Sequence, residues 1–180
     1  MSDVAPGPAP GPAPGKACGS CGMCCKVLAI DELNKRDGVW CGHFRKGGGC
    51  GSYETRPGAC RGFHCLWLTS EKLDETWRPD KAGFLMYSDR DGKRLNVVVD
   101  PGKPAAWKRE PYYRRIKAMS QRAYDGYELV VCVGDRRTVV FPTEDVELGV
   151  LNPGHKLVSG YVNRDGAQVP FAMVLSDAEG

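Results

Sequence analysis

No stretch of the 180 residues approaches the about 18 consecutive apolar residues that a membrane span requires, which excludes a helical span. The start, Met1-Ser2-Asp3-Val4, lacks both a basic region and an apolar core, so no secretory signal is expected and the expected location is the cytoplasm. Also missing are a phosphate-binding glycine loop, a serine nucleophile elbow and a metalloprotease histidine pair, which leaves hydrolytic and nucleotide-driven chemistry without a carrier. Neither sign of charge dominates: 25 basic and 22 acidic residues leave +3, too little to imply a polyanionic partner by itself. Apolar content of 42% with 26% charged residues is ordinary for a globular chain and argues against wholesale disorder.

Cysteine is what the chain has in excess, and its distribution is uneven. Eight of nine fall between Cys18 and Cys65, as Cys18, Cys21, Cys24, Cys25, Cys41, Cys50, Cys60 and Cys65. A reducing compartment keeps thiols free for metals, and an odd total argues against a disulfide framework. The C-x2-C-x2-C-C opening is a metal-site signature, because two intervening residues allow a tight turn that aims neighbouring sulfurs at one centre. The adjacent pair constrains the arrangement, since neighbouring side chains diverge by about 100° on a helix and point to opposite sides of a strand. Cys24 and Cys25 are therefore expected to serve different ions. Two four-ligand centres would use all eight thiols and meet at that pair; one centre with spare thiols is the other arrangement, and the spacing does not partition the ligands.

Either an iron–sulfur cluster or zinc satisfies this donor set. Zinc often uses paired C-x2-C knuckles, and only the first segment has such spacing. Three close cysteines with a remote fourth are a common way to hold four irons, and Cys18, Cys21 and Cys24 supply the three, which tips the choice slightly toward iron–sulfur. Arg56 and Arg61 flank Cys60 and are candidate neighbours of the cofactor, where guanidinium groups would offset thiolate charge; exposed surface arginines are the plainer alternative. His43 and His64 lie near Cys41 and Cys65 and would be ligands only in place of a thiolate. Cys132, in an apolar run, reads as an inert core thiol, and His155 as a solvent-facing turn residue.

The chain divides into three stretches. Residues 1–16, with an APGP repeat, read as a disordered tail rich in proline, glycine and alanine. Residues 17–79 read as a small irregular metal-binding domain with a thin core that metal bonds would stabilise, a helix from Val27 to Arg36, and a glycine loop over residues 47–51. Residues 80–180 read as an antiparallel sheet with one main helix, so the expected class is α+β. Its hairpins pair Phe84–Tyr87 with Leu95–Val99 across Asp89-Arg90-Asp91-Gly92, and Gly160–Val162 with Val169–Phe171. A third pairs Glu128–Val133 with Thr138–Phe141 across Gly134–Arg137. Asp89 and Asp91 lack the downstream ligands of a calcium loop. The main helix is expected over Glu110 to Tyr124. Basic residues from Lys103 to Arg122, interleaved with Trp107, Tyr112 and Tyr113, read as a solvated amphipathic face, with nucleic acid as the alternative partner.

The residues Cys18-x2-Cys21-Gly22-x-Cys24-Cys25, Cys41, Gly49-Cys50-x2-Tyr53-x2-Arg56-Pro57-x2-Cys60-Arg61 and Cys65-x-Trp67 resemble the zinc- or iron-chelating cysteine-cluster family of YkgJ-type proteins. The resemblance spans about residues 18 to 80 and places all eight cysteines at motif positions. It implies an iron–sulfur or zinc centre. A related cluster occurs in flagellin lysine methylases, enzymes much longer than this chain. Three readings follow: a cytoplasmic metal protein with a redox or accessory role and an unidentified protein or redox partner, a zinc-stabilised module binding protein or nucleic acid, and a cluster-assisted modification enzyme. Whether the chain is an enzyme is left open.

Overall fold

The structure, a computed structural model, describes residues 11–89 and 91–176. Most of the expected tail, residues 1–10, and Arg90 of the first hairpin turn lie outside the described residues. From Ala13 the chain is docked: its amide donates to the Leu68 carbonyl at 2.8 Å, and the Lys16 ammonium donates to the carbonyls of Trp67 and Ser70.

The cysteine segment consists of short elements. Helix α1 (Met23–Val27) buries Met23 and Val27, one turn apart, against Leu85. Strands β1 (Phe44–Arg45) and β2 (Gly49–Cys50) form a two-residue antiparallel pair, so the glycine stretch expected to be a loop is partly a hairpin arm. Helices α2 (Gly58–Gly62), α3 (Leu66–Thr69) and α4 (Pro79–Ala82) follow. The expected helix from Val27 to Arg36 does not form. Helix α1 stops at Val27, Asp31–Leu33 is a 3-10 turn, and Ile30 bridges to Lys35. Lys35 supplies the reason: its ammonium donates to the carbonyls of Lys26 and Leu28, groups a continuing helix would have used itself.

The larger sheet contains β3 (Phe84–Asp89), β4 (Arg94–Val99), β5 (Glu128–Val133), β6 (Arg136–Val140) and β7 (Asp145–Val150), in that order. It is mixed, not purely antiparallel, because β4 and β5 run parallel with Arg94 opposite Glu128. The intervening chain, with helix α5 (Tyr112–Met119) and a 3-10 continuation over Ser120–Asp125, carries β5 back to the same end of the sheet, as a parallel pair requires. The main helix is thus shorter than the expected span from Glu110 to Tyr124. Strands β8 (Lys156–Arg164) and β9 (Ala167–Leu175) form a separate long hairpin.

Alternation of side chains gives the sheet two covered faces. Phe84, Met86, Val97, Val99, Leu129 and Val131 pack with Ile116, Trp107 and Tyr112. Trp67, Leu68, Leu73 and Trp77 belong to this same cluster, so the cysteine segment and the sheet share one core. On the opposite face Leu85, Tyr87 and Val98 meet α1 and Phe63, while Val130, Val139 and Phe141 meet Leu157 and Tyr161 of β8. Among the described residues no helix is long and apolar enough to cross a membrane.

Candidate metal centre

All nine cysteines are free, so no disulfide takes up the thiols. Seven of the eight clustered ones, Cys18, Cys21, Cys24, Cys25, Cys41, Cys50 and Cys60, line a single cavity of about 240 Å³. The eighth, Cys65, lines an adjoining pocket of about 30 Å³ together with Cys18, Cys21 and Cys24. Cys132 stands apart on β5, half-buried, with burial pushing its thiol up against the pull of Arg137 and Arg94.

Local structure explains how distant cysteines converge. The Cys21 amide donates to the Cys18 carbonyl at 3.0 Å, closing the first knuckle. The Cys41 amide donates to the Cys25 carbonyl at 2.9 Å and the Phe44 amide to the Cys41 carbonyl at 3.0 Å, which leads into the hairpin where Phe44 faces Cys50. Gly49 sits at φ +76° against the Gly19 backbone; a Cβ there would lie 3.2 Å from the Gly19 carbonyl carbon and closer still to its oxygen. At Gly22 an added carbon would overlap the Phe44 ring, so this glycine makes room for the hairpin to close over the knuckle. Cys60 rides on α2, whose first amides, Gly58 and Ala59, donate to the Glu32 carboxylate at 3.1 and 2.9 Å.

Electrostatics divide the thiols. Burial pushes Cys65 up to about 11, with Cys21 and Cys18 adding to it. Burial also raises Cys60, where Cys25, Cys41 and Cys50 are the sulfurs that act on it. The hydrogen bond from the Cys24 thiol holds Cys25 down to about 7 and drives Cys24 well up.

Cationic groups surround these sulfurs. Arg56 lines the cavity, stacks on Tyr53 with 3.7 Å between its guanidinium carbon and the ring centroid, and acts on Cys18 and Cys50. Arg61 is exposed on the last turn of α2 and lies off the cavity wall. Lys35 and Glu32 are the residues the sequence reading missed. Lys35 is 9% exposed; burial lowers its pKa, and Cys25 and Cys41 pull it back up. Lys26, beside Cys25, is anchored to Asp100 at 2.7 Å. His43 and His64 both reach the cavity, His43 with its Nδ1 3.0 Å from Ser52 Oγ. His155 is half-buried in its turn, not solvent-facing. The rings expected among the basic residues turn inward: Trp107 and Tyr112 are buried, and Lys117 pairs with Asp145 at 3.0 Å. That leaves little for base stacking.

The donors suit a thiolate-held group in chemistry. Two nitrogens on the cavity wall, Arg56 Nε and His64 Nδ1, are buried with no hydrogen-bond partner among the described residues, and a guanidinium N–H suits an anionic neighbour. Among those residues no three histidine, cysteine or acidic side chains stand in the close grouping of a single ion's shell. The sulfurs line walls instead of closing on a point. Compared with known proteins, the chain matches no family model, no curated protein and no solved structure.

Proposed function

We propose that the chain is a metal protein whose eight clustered cysteines hold iron–sulfur chemistry, with a redox or accessory role. The observation that carries this reading is the convergence of seven free thiols on one cavity and the eighth on the pocket beside it. Size favours a polynuclear group. One water-sized sphere needs about 10–15 Å³, and structural zinc sites are closed tetrahedra, whereas the larger cavity is about 240 Å³. When bound, an iron–sulfur group supplies one-electron transfer at a potential set by charge and hydrogen bonding around its sulfurs. In this chain Lys35 and Arg56 supply that charge, and the Tyr53 ring holds the Arg56 guanidinium at the cavity wall. The resemblance to cysteine-cluster proteins belongs to the same proposal and rests on the eight cysteines together with Tyr53, Arg56, Pro57, Arg61 and Trp67.

Zinc is the second reading, favoured by the pocket of about 30 Å³, which is ion-sized and lined by four thiols. Anaerobic purification of the untagged chain, followed by absorption spectroscopy with iron, zinc and acid-labile sulfide counted per chain, separates the two. A broad band near ~400 nm with comparable iron and sulfide supports the cluster. Colourless protein with stoichiometric zinc replaces it by the zinc reading, and protein with neither metal refutes both.

A further inference from the structure

We infer that the eight cysteines are divided into two ligand sets, Cys18, Cys21, Cys24 and Cys65 around an inner centre and Cys25, Cys41, Cys50 and Cys60 around an outer one, joined at the Cys24–Cys25 peptide bond. The division rests on the metal-centre reading above and adds the ligand set of each centre.

Elimination gives the sets. Cys65 lines the inner pocket and not the larger cavity, and the other cysteines of the inner pocket are Cys18, Cys21 and Cys24. A four-thiolate centre that includes Cys65 therefore takes all three, which is the pattern of three close cysteines and a remote fourth. The remaining four all line the outer cavity, and none of them lines the inner pocket. Backbone contacts tie this second set together independently. Cys41 bonds to Cys25, the hairpin begun at Cys41 ends on Cys50, and Glu32 pins the helix bearing Cys60. Cys24 and Cys25, successive on α1 and hydrogen-bonded thiol to thiol, are where the two sets meet: Cys24 lines the inner pocket and Cys25 does not.

The two centres differ in depth. Met23, Trp67, Leu68 and Leu85, all buried, wall the inner pocket. The outer cavity opens beside exposed His43 and Tyr53. Within the outer set Cys25, Cys50 and Cys60 are half-buried and Cys41 is buried, so reagents entering from this exposed rim meet the first three before Cys41.

Metal counting on Cys→Ala variants tests the division. Cys60→Ala and Cys65→Ala each lose one centre's metal, and the two losses sum to the wild-type content. Cys41→Ala combined with Cys60→Ala loses no more than either alone, and Cys60→Ala combined with Cys65→Ala loses everything. A within-set double variant that strips all metal, or a cross-set double that keeps a centre, overturns the division. Variants that fail to fold are bypassed on the unaltered, metal-loaded chain by timed chelation with iodoacetamide and peptide mass mapping. Cys25, Cys50 and Cys60 are expected to be alkylated early, with the buried Cys41 following them, and early alkylation of Cys18, Cys21, Cys24 or Cys65 together with them refutes the division alone. A wild-type chain that binds neither iron nor zinc refutes the underlying reading instead.

Discussion

Replacing Gly49 by alanine tests whether the Cys18 knuckle and the Cys50 hairpin are locked by a backbone contact that only glycine permits. Gly47, two residues away, provides the control. Both have left-handed backbone, at φ +76° for Gly49 and +78° for Gly47, so alanine costs about 1–2 kcal/mol at either position. They differ in what the new carbon meets. At Gly47 nothing lies within 4 Å; at Gly49 the Gly19 carbonyl intrudes inside 3.0 Å, a distance real Cβ atoms essentially never show. The obstacle is main chain and cannot rotate away, so knuckle and hairpin must separate, and overpacking of that kind costs about a further 1–3 kcal/mol. Gly47→Ala should therefore destabilise by about 1–2 kcal/mol and Gly49→Ala by about 2–5 kcal/mol. Urea titration of both variants, followed by tryptophan fluorescence and paired with a metal count, reads the difference. Equal midpoints and equal metal retention would refute the contact, because both substitutions carry the left-handed backbone cost and only the buried Gly49 meets the clash.

Lys35→Met keeps the length of the side chain, removes its ammonium and leaves the Lys26 and Leu28 carbonyls without their donor. Loss of these charge-assisted bonds at a site 9% exposed should cost about 3 kcal/mol. In the iron–sulfur form the reduction potential should also fall, since a positive charge beside the thiolates favours the added electron; voltammetry showing no change would remove Lys35 from the electrostatics of the site. Burial would raise the Asp100 carboxyl, but the Lys26 ammonium and the Gly102 N–H hold it below its ordinary value. Its contribution to stability is thus full above the unfolded value of about 3.9 and lost as pH falls through the lower folded value. The stability difference between wild type and Asp100→Asn, measured by thermal unfolding from pH 6 downward, should shrink below about pH 4; a gap that stays constant there assigns Asp100 no charge role.

Parts of this fold were legible because the signals are local. Asp91-Gly92 and Asp165-Gly166 mark hairpins whose strands alternate, and both hairpins form. Strand β7 was equally readable, since Val146, Leu148 and Val150 alternate with Asp145, Glu147 and Gly149, a period of two that the sequence reading passed over. The parallel β4–β5 pair was not legible, because nothing in Arg94–Val99 names Glu128–Val133 as its neighbour. The helix expected after Val27 had a fair local pattern and lost to a tertiary demand, the buried Lys35 ammonium drawing on two carbonyls. The cysteines of the site were visible from spacing alone. Glu32, Lys35 and the Lys26–Asp100 pair were not, since each acts on residues brought near only by folding.

The two sides of the cysteine site are held by different means, which sets what happens when metal is withdrawn under the proposed reading. The inner side is built into buried clusters, Trp67 and Leu68 of the main core and Leu85 of the α1 cluster, which are 5%, 2% and 1% exposed. Burial of such side chains contributes about 1.5–3 kcal/mol each whether or not metal is present. The outer side has no such reserve. Val39, Trp40 and Tyr53 are 56%, 47% and 47% exposed, and the β1–β2 arms pair only two residues each. An isolated hairpin is marginal in water, so a few local contacts hold Cys41, Cys50 and Cys60 in place: the Glu32 clamp, the Gly49 contact, the Cys41–Cys25 backbone bond and the Trp40–Phe44 stack. Chelation under reducing conditions should therefore abolish amide exchange protection over residues 39–62 while β3, β4 and β5 keep theirs. Protection lost equally across the sheet would mean that the centres hold the entire fold, and protection retained at 39–62 would mean that the local contacts, the Glu32 clamp, the Cys41–Cys25 backbone bond and the Trp40–Phe44 stack, order that segment without metal.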